Sequence, residues 1–107
     1  MQIFTNSALT TSDKDREYVI YECPASTNST IHNLLITNSD SSITATVNLK
    51  LQKGSSSFFC IPSDFQLDPK NTLEMKPVNL IHGDKLTILS SNNVDVIASI
   101  LEEKLAF

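Results

Sequence analysis

The chain has no tryptophan, only two glycines, two cysteines, two histidines and two tyrosines among its 107 residues. Each scarcity excludes something. Without Trp and with little Tyr, the aromatic platforms that carbohydrate sites favour are thin. With Gly only at 54 and 83, there is no glycine-rich phosphate loop and no nucleophile elbow of the GxSxG kind. Cys23 and Cys60 form no CxxC pair. His32 and His82 lie too far from them, and from each other, for a common zinc pattern, in which ligands fall two to five residues apart. No apolar run approaches membrane-spanning length. The start, MQIFTNSALTTSDKDRE, has no basic segment followed by an apolar one, so it does not read as a secretory signal. Eight basic residues against twelve acidic ones give a net charge of -4, the wrong sign for a nucleic-acid groove. The expectation is therefore no metal, no cofactor, no nucleic acid and no membrane among its partners.

What the chain does have is hydroxyl and amide side chains: 14 Ser, 10 Thr and 9 Asn. Apolar residues make up 40% and charged residues 19%, too apolar and too weakly charged for a disordered chain. This length suits one domain, with residues 17–107 as its body and 1–16 as an arm or an edge strand. With no export signal, the two cysteines are expected to be reduced and mostly buried, although strands that happened to be neighbours would allow a disulfide.

Periodicity points to strands throughout. Ile43, Ala45, Val47, Leu49 and Leu51 alternate with Thr44, Thr46, Asn48, Lys50 and Gln52, one dry face and one wet. Thr30–Asn38 reads as a strand buried on both sides near its centre. The turn cluster Asn38–Ser42 between these two predicts a hairpin. Glu17–Cys23 is a short strand stopped by Pro24, with a loop from there to Ser29. Ser57–Ile61, Thr72–Met75 and Lys85–Leu89 are further strands, and Ser63–Pro69 is irregular. Val78–Ile81 leads into a turn at His82-Gly83-Asp84, where Gly83 supplies a positive φ and Asp84 bonds back to turn amides. Phe58 and Phe59 fall on opposite faces, which leaves one ring exposed or at an interface. Residues 94–102 fit both periods, and the Val and Ile content favours strand. Seven to eight short strands about ten residues apart predict an all-β fold: a single antiparallel β-sandwich, Ig-like or jelly-roll-like.

No residue stands out as catalytic. The acid pairs Asp13/Asp15 and Glu102/Glu103 read as solvated segments. Asp40, Asp64, Asp68 and Asp84 are too scattered for a calcium loop. Asn28-Ser29-Thr30 matches a glycosylation triplet that needs an export route to matter. Serine abundance reads as surface rather than as a store of nucleophiles.

The order of segments carries a resemblance. Tyr21–Thr27 (YECPAST), Ile31–Asn38 (IHNLLITN), Ile43–Leu51 (ITATVNLKL), Val78–Ile81 with Gly83–Ile88 (GDKLTI), and Val94–Glu102 (VDVIASILE) follow a layout similar to that of small virion proteins of tailed bacteriophages. The likeness runs from about residue 17 to 103 and departs in having Cys23 where valine is usual and an extra stretch at 62–71. It implies a non-enzymatic β-sandwich present in many copies, a capsid decoration or a neck, tail or fibre adaptor. It also implies assembly in the host cytoplasm and residence in the virion, with other virion proteins (capsid, neck or tail) and copies of itself as partners. The rival expectation is a soluble carbohydrate- or receptor-binding β-sandwich module.

Overall fold

The computed structural model describes residues 2–14 and 16–105. Among them are ten strands and no helix: β1 (Gln2–Thr10), β2 (Tyr18–Glu22), β3 (Thr27–Asn38), β4 (Ala45–Lys53), β5 (Ser56–Phe59), β6 (Phe65–Leu67), β7 (Asn71–Met75), β8 (Val78–Ile81), β9 (Lys85–Ser90) and β10 (Asp95–Lys104). They form two antiparallel sheets of five strands. Sheet A runs β1-β10-β3-β7, with β8 also on β3; sheet B runs β2-β9-β4-β5, with β6 also on β4. β7 and β8 lie end to end along one side of β3. β5 and β6 do the same along β4.

Counting each collinear pair as one broken strand gives eight positions. The first pairs with the last, the second with the seventh, the third with the sixth and the fourth with the fifth. That nesting is one long hairpin rolled up, the winding of a jelly roll. The hairpin's tip is the two-residue loop Gly54-Ser55 between β4 and β5, closed by the pair Lys53 and Ser56. Gly54 sits at φ 59°, at the first central position of the loop, where a side chain would strain the turn.

The strands beyond the seven or eight expected are β1, read as an arm or an edge strand, and the short β6. Pro62 interrupts one edge and Pro77 the other, because a residue without N–H cannot continue a ladder. The stretch 63–69, expected to be irregular, contains the short strand β6. The loop expected over 24–29 is shorter, since β3 begins at Thr27.

The expected hairpin of 30–38 with 43–52 does not form. β3 belongs to sheet A and β4 to sheet B, so residues 39–44 cross between layers. The buried Asn38 side chain explains the crossing. Its Nδ2 donates to the Ile43 carbonyl at 2.8 Å and the Leu67 carbonyl at 3.0 Å, and its Oδ1 accepts from the Asp40 N–H. Asp40 Oδ1 in turn accepts from the amides of Ser42 and Ile43 at 2.8 and 2.9 Å. These bonds turn the chain out of one sheet and into the other. Ile43 is left outside β4 and half exposed.

The alternation in β4 is as read. Ala45, Val47 and Leu49 are fully buried, whereas Thr46, Asn48, Lys50 and Gln52 face outward. They meet Ile20, Leu86 and Ile88 of sheet B and Ile31, Leu34, Ile36, Val96, Ala98 and Ile100 of sheet A in one core. Residues 95–104 are strand, and Val96, Ala98 and Ile100 all point inward.

Candidate functional site

The chemistry-bearing residues do not converge. His32 is exposed on the outer side of β3, at a bulge opposite Ser99 where the register with β10 shifts. His82 is exposed in the β8–β9 turn. Cys60 follows β5 and Cys23 follows β2, at opposite edges of sheet B. Three strand spacings separate them, roughly 14 Å, twice the reach of a disulfide. Both are free thiols. Burial pushes the Cys60 thiol up despite a backbone N–H from Leu51, so at neutral pH it is a poor nucleophile. Among the described residues, no three His, Cys, Asp or Glu side chains gather closely enough to hold a metal. The Asn28-Ser29-Thr30 triplet lies within β3, not in a loop.

The pair Glu102/Glu103 is not a solvated segment. Glu103 is exposed, but Glu102 points into the sandwich and is nearly buried. Tyr21 of the opposite sheet donates its hydroxyl to Glu102 Oε2 at 2.5 Å, and Ser29 Oγ lies 2.7 Å from the same hydroxyl. The single phenolic proton is committed to the carboxylate, so the Ser29 hydroxyl donates to Tyr21. Ser29 also lies 3.2 Å from Cys23 Sγ. Burial, and then the Glu102 carboxylate, hold the Tyr21 phenol far above its ordinary value. The cluster ties the two sheets together at one end of the sandwich. The signal that could have found it is parity, since 102 continues the inward series 96, 98 and 100.

Asp84 performs a similar task in the β8–β9 turn. Gly83 has φ 86°, as the turn requires. Asp84 Oδ2 accepts from the Ile81 N–H at 3.0 Å and from Lys53 Nζ at 2.5 Å. Burial disfavours the charged carboxylate, but the Lys53 ammonium and the Ile81 N–H outweigh it and hold the carboxyl below its ordinary value. Asp13 is bonded, its amide to the Tyr18 hydroxyl, and Asp15 lies outside the described residues.

The sheet surfaces differ sharply. On sheet B the outward groups satisfy one another. Asn48 and Asp64 exchange two hydrogen bonds, at 3.1 and 2.9 Å, Gln66 donates to Thr46, and the Lys50 ammonium sits 5.1 Å from the centre of the Phe59 ring directly across the strand pair. Both Phe58 and Phe59 are half exposed, because β5 is too short and peripheral to bury the inward ring.

Sheet A also carries cross-strand bonds on its outer face, from Thr10 to Asp95, from Thr30 to Asn79 and between Thr37 and Thr72, and differs from sheet B in its charge. Alternation and register put Gln2, Phe4, Asn6, Ala8 and Thr10 of β1 on its outer face, beside Asp95, Ile97, Ser99, Leu101 and Glu103 of β10. Thr30, Leu35 and Thr37 of β3 continue it, with Glu74 and Ile81 beyond. None of these is Lys or Arg, and the three acids lie toward the margins. Phe4 is 76% exposed, Ile81 57% and Ile97 50%. Phe4 meets the His32 ring edge-on at 6.5 Å over a shallow hollow of about 280 Å³.

Fold and surface together define an acidic jelly-roll β-sandwich with Phe4, Ile81 and Ile97 exposed on a charge-poor sheet face, and with Val19, Phe58 and Phe59 exposed on the other sheet. Comparison with protein-family models, with curated proteins and with solved structures found no match for the chain.

Proposed function

We propose that the protein is a non-enzymatic structural component of a tailed-bacteriophage virion, present in many copies and acting through protein–protein interfaces. It serves as a capsid decoration or as a neck, tail or fibre adaptor. The observation that carries this reading is the outer face of sheet A, with Phe4, Ile81 and Ile97 exposed on a surface whose strand positions hold no Lys or Arg. Such groups are stabilised by a covering partner of similar character. The layout shared with small phage virion proteins supplies the kind of partner, other virion proteins and copies of the chain itself. A jelly roll is compatible with that role.

The test is incorporation into particles in competition with wild type. Ile97→Lys places a charge on the face without touching the core, since Ile97 is half exposed. Loss of one apolar anchor is expected to lower incorporation about tenfold. Lys50→Ala on the other sheet is expected to leave it unchanged. Equal incorporation of Ile97→Lys and wild type would remove the face from the account. Specific binding of the isolated chain to glycans, with none to particles, would replace the reading by a carbohydrate-binding one.

A further inference from the structure

Four lateral edges close the two sheets, and three of them are guarded. The β7–β8 edge is two short strands separated by Lys76-Pro77 and carrying Glu74. The β5–β6 edge is shorter still and is broken at Pro62. β2 is five residues long, with an irregular register between Val19 and Tyr21 and a charged end at Glu22. Short strands, proline, bulges and charges are the devices that keep sheet edges from pairing with other chains.

β1 has none of them. It runs nine residues, QIFTNSALT, in unbroken register with β10. It contains no charge, no proline and no glycine. Its second side pairs with no strand among the described residues. An edge of this kind is a template for a further strand.

The pattern of β1 identifies that strand. Read outward from Asn6 it is a palindrome in character: Thr5 mirrors Ser7, Phe4 mirrors Ala8, Ile3 mirrors Leu9 and Gln2 mirrors Thr10. A two-fold axis through an antiparallel pair imposes the same mirror, because each residue then faces the copy of its own reflection. We propose that β1 pairs with β1 of a second copy of this chain, antiparallel and centred on Asn6, to form a two-fold dimer with a continuous sheet.

The side chains fit this register on both faces. Inside, the half-buried Ile3 meets the second copy's Leu9, and Thr5 donates to the second copy's Ser7, whose own proton goes to the Ile20 carbonyl within its chain. Outside, Phe4, the most exposed large apolar residue among those described, comes to lie against the second copy's Ala8, the smallest residue of the strand's outer row. Within one chain, Leu35 faces Ile97, Ile97 faces Ala8, and Phe4 faces Leu101. Pairing joins these rungs into a single apolar row running from Leu35 through Ile97 and Ala8 to Phe4 and Leu101 of the second copy. The dyad generates a second row, with the two Asn6 side chains between them. A slip of one residue would set inward groups against outward ones and break both rows.

The dimer is a property of the isolated chain and does not rest on the virion reading, so either can fail alone. The experiment is sedimentation equilibrium on the full chain and two double variants, with circular dichroism to confirm folding. Wild type is expected at twice the chain's 11.8 kDa. Phe4→Lys with Ala8→Lys opposes like charges across the dyad and should give a folded monomer. Phe4→Glu with Ala8→Lys opposes opposite charges and should restore a salt-sensitive dimer. Residues 4 and 8 are about 13 Å apart along one strand, too far for the charges to compensate within a chain. A monomeric wild type, or a dimer indifferent to the Lys pair, would overturn the proposal, as would failure of the Glu/Lys pair to recover the dimer. If a variant unfolds, hydrogen exchange on wild type decides: concentrating the protein should protect amides of β1, and unchanged exchange there contradicts the pairing.

Discussion

Asn38, Tyr21, Glu102 and Asp84 show how few polar side chains route this chain. Asn38, Glu102 and Asp84 are buried and Tyr21 partly so, each is bonded, and no buried side-chain nitrogen or oxygen among the described residues lacks a partner. Replacing Asn38 by Leu keeps the volume but strands the Ile43 and Leu67 carbonyls. The expected loss is about 3 kcal/mol, read from urea midpoints. Tyr21→Phe removes the donor to Glu102 and should cost about 1–3 kcal/mol. Asp84 predicts a pH dependence. Its carboxyl is held below its ordinary value in the folded state, so the unfolded state binds the proton more readily. The stability it contributes is complete well above the ordinary Asp value and is lost as the medium is acidified from about pH 5 to pH 3 and below. Asp84→Asn should therefore be less stable than wild type at neutral pH and show a flatter acid limb. An acid limb as steep as that of wild type would contradict the assignment.

At the scale of elements, alternation was a reliable guide to faces and a poor guide to partners. Ala45, Val47 and Leu49 could be placed in the core from spacing alone, and so could Val96, Ala98 and Ile100. Glu102 continues the same parity, yet two adjacent acids at a chain's end read as solvent-facing until a donor such as Tyr21 stands opposite. The hairpin expected between 30–38 and 43–52 failed for a different reason. A polar cluster between two strands signals a turn but not whether the chain turns within a layer or between layers. That depends on Asn38 finding the Leu67 carbonyl, 29 residues away, which periodicity does not encode. The Gly83-Asp84 turn was legible because a positive φ and a side chain bonding its own turn are local demands. The mirror in β1 was present in the sequence too, but it has meaning only once those residues are known to be an unguarded edge. β1 also contributes Leu9 to the core and leads into the buried Thr11, which exchanges backbone and side-chain bonds with Val94. Deleting residues 1–15 is therefore expected to unfold the domain, not merely to remove an arm. Loss of the thermal transition would register this, and a truncated chain that melts cooperatively would contradict it.

For the molecule as a whole, the rolled hairpin means that its outermost pair, β1 with β10, joins opposite ends of the chain. Loop closure must come before most of the favourable contacts, so refolding is expected in milliseconds to seconds, measured by stopped-flow fluorescence of the tyrosines. A sub-millisecond phase carrying the full amplitude would conflict with this topology. The surface is polarised: a sheet B that carries Lys50 and Asp64 outward, a charge-poor sheet A and one open edge. The proposed particle component uses the last two, and neither requires a pocket, metal or nucleophile. The most direct test of that central claim is the copy number of the chain in purified particles of the phage to which the proposal assigns it, determined by quantitative mass spectrometry against a capsid protein. The account predicts a fixed number of copies per particle, well above one. A chain abundant in infected cells but absent from purified particles would contradict it.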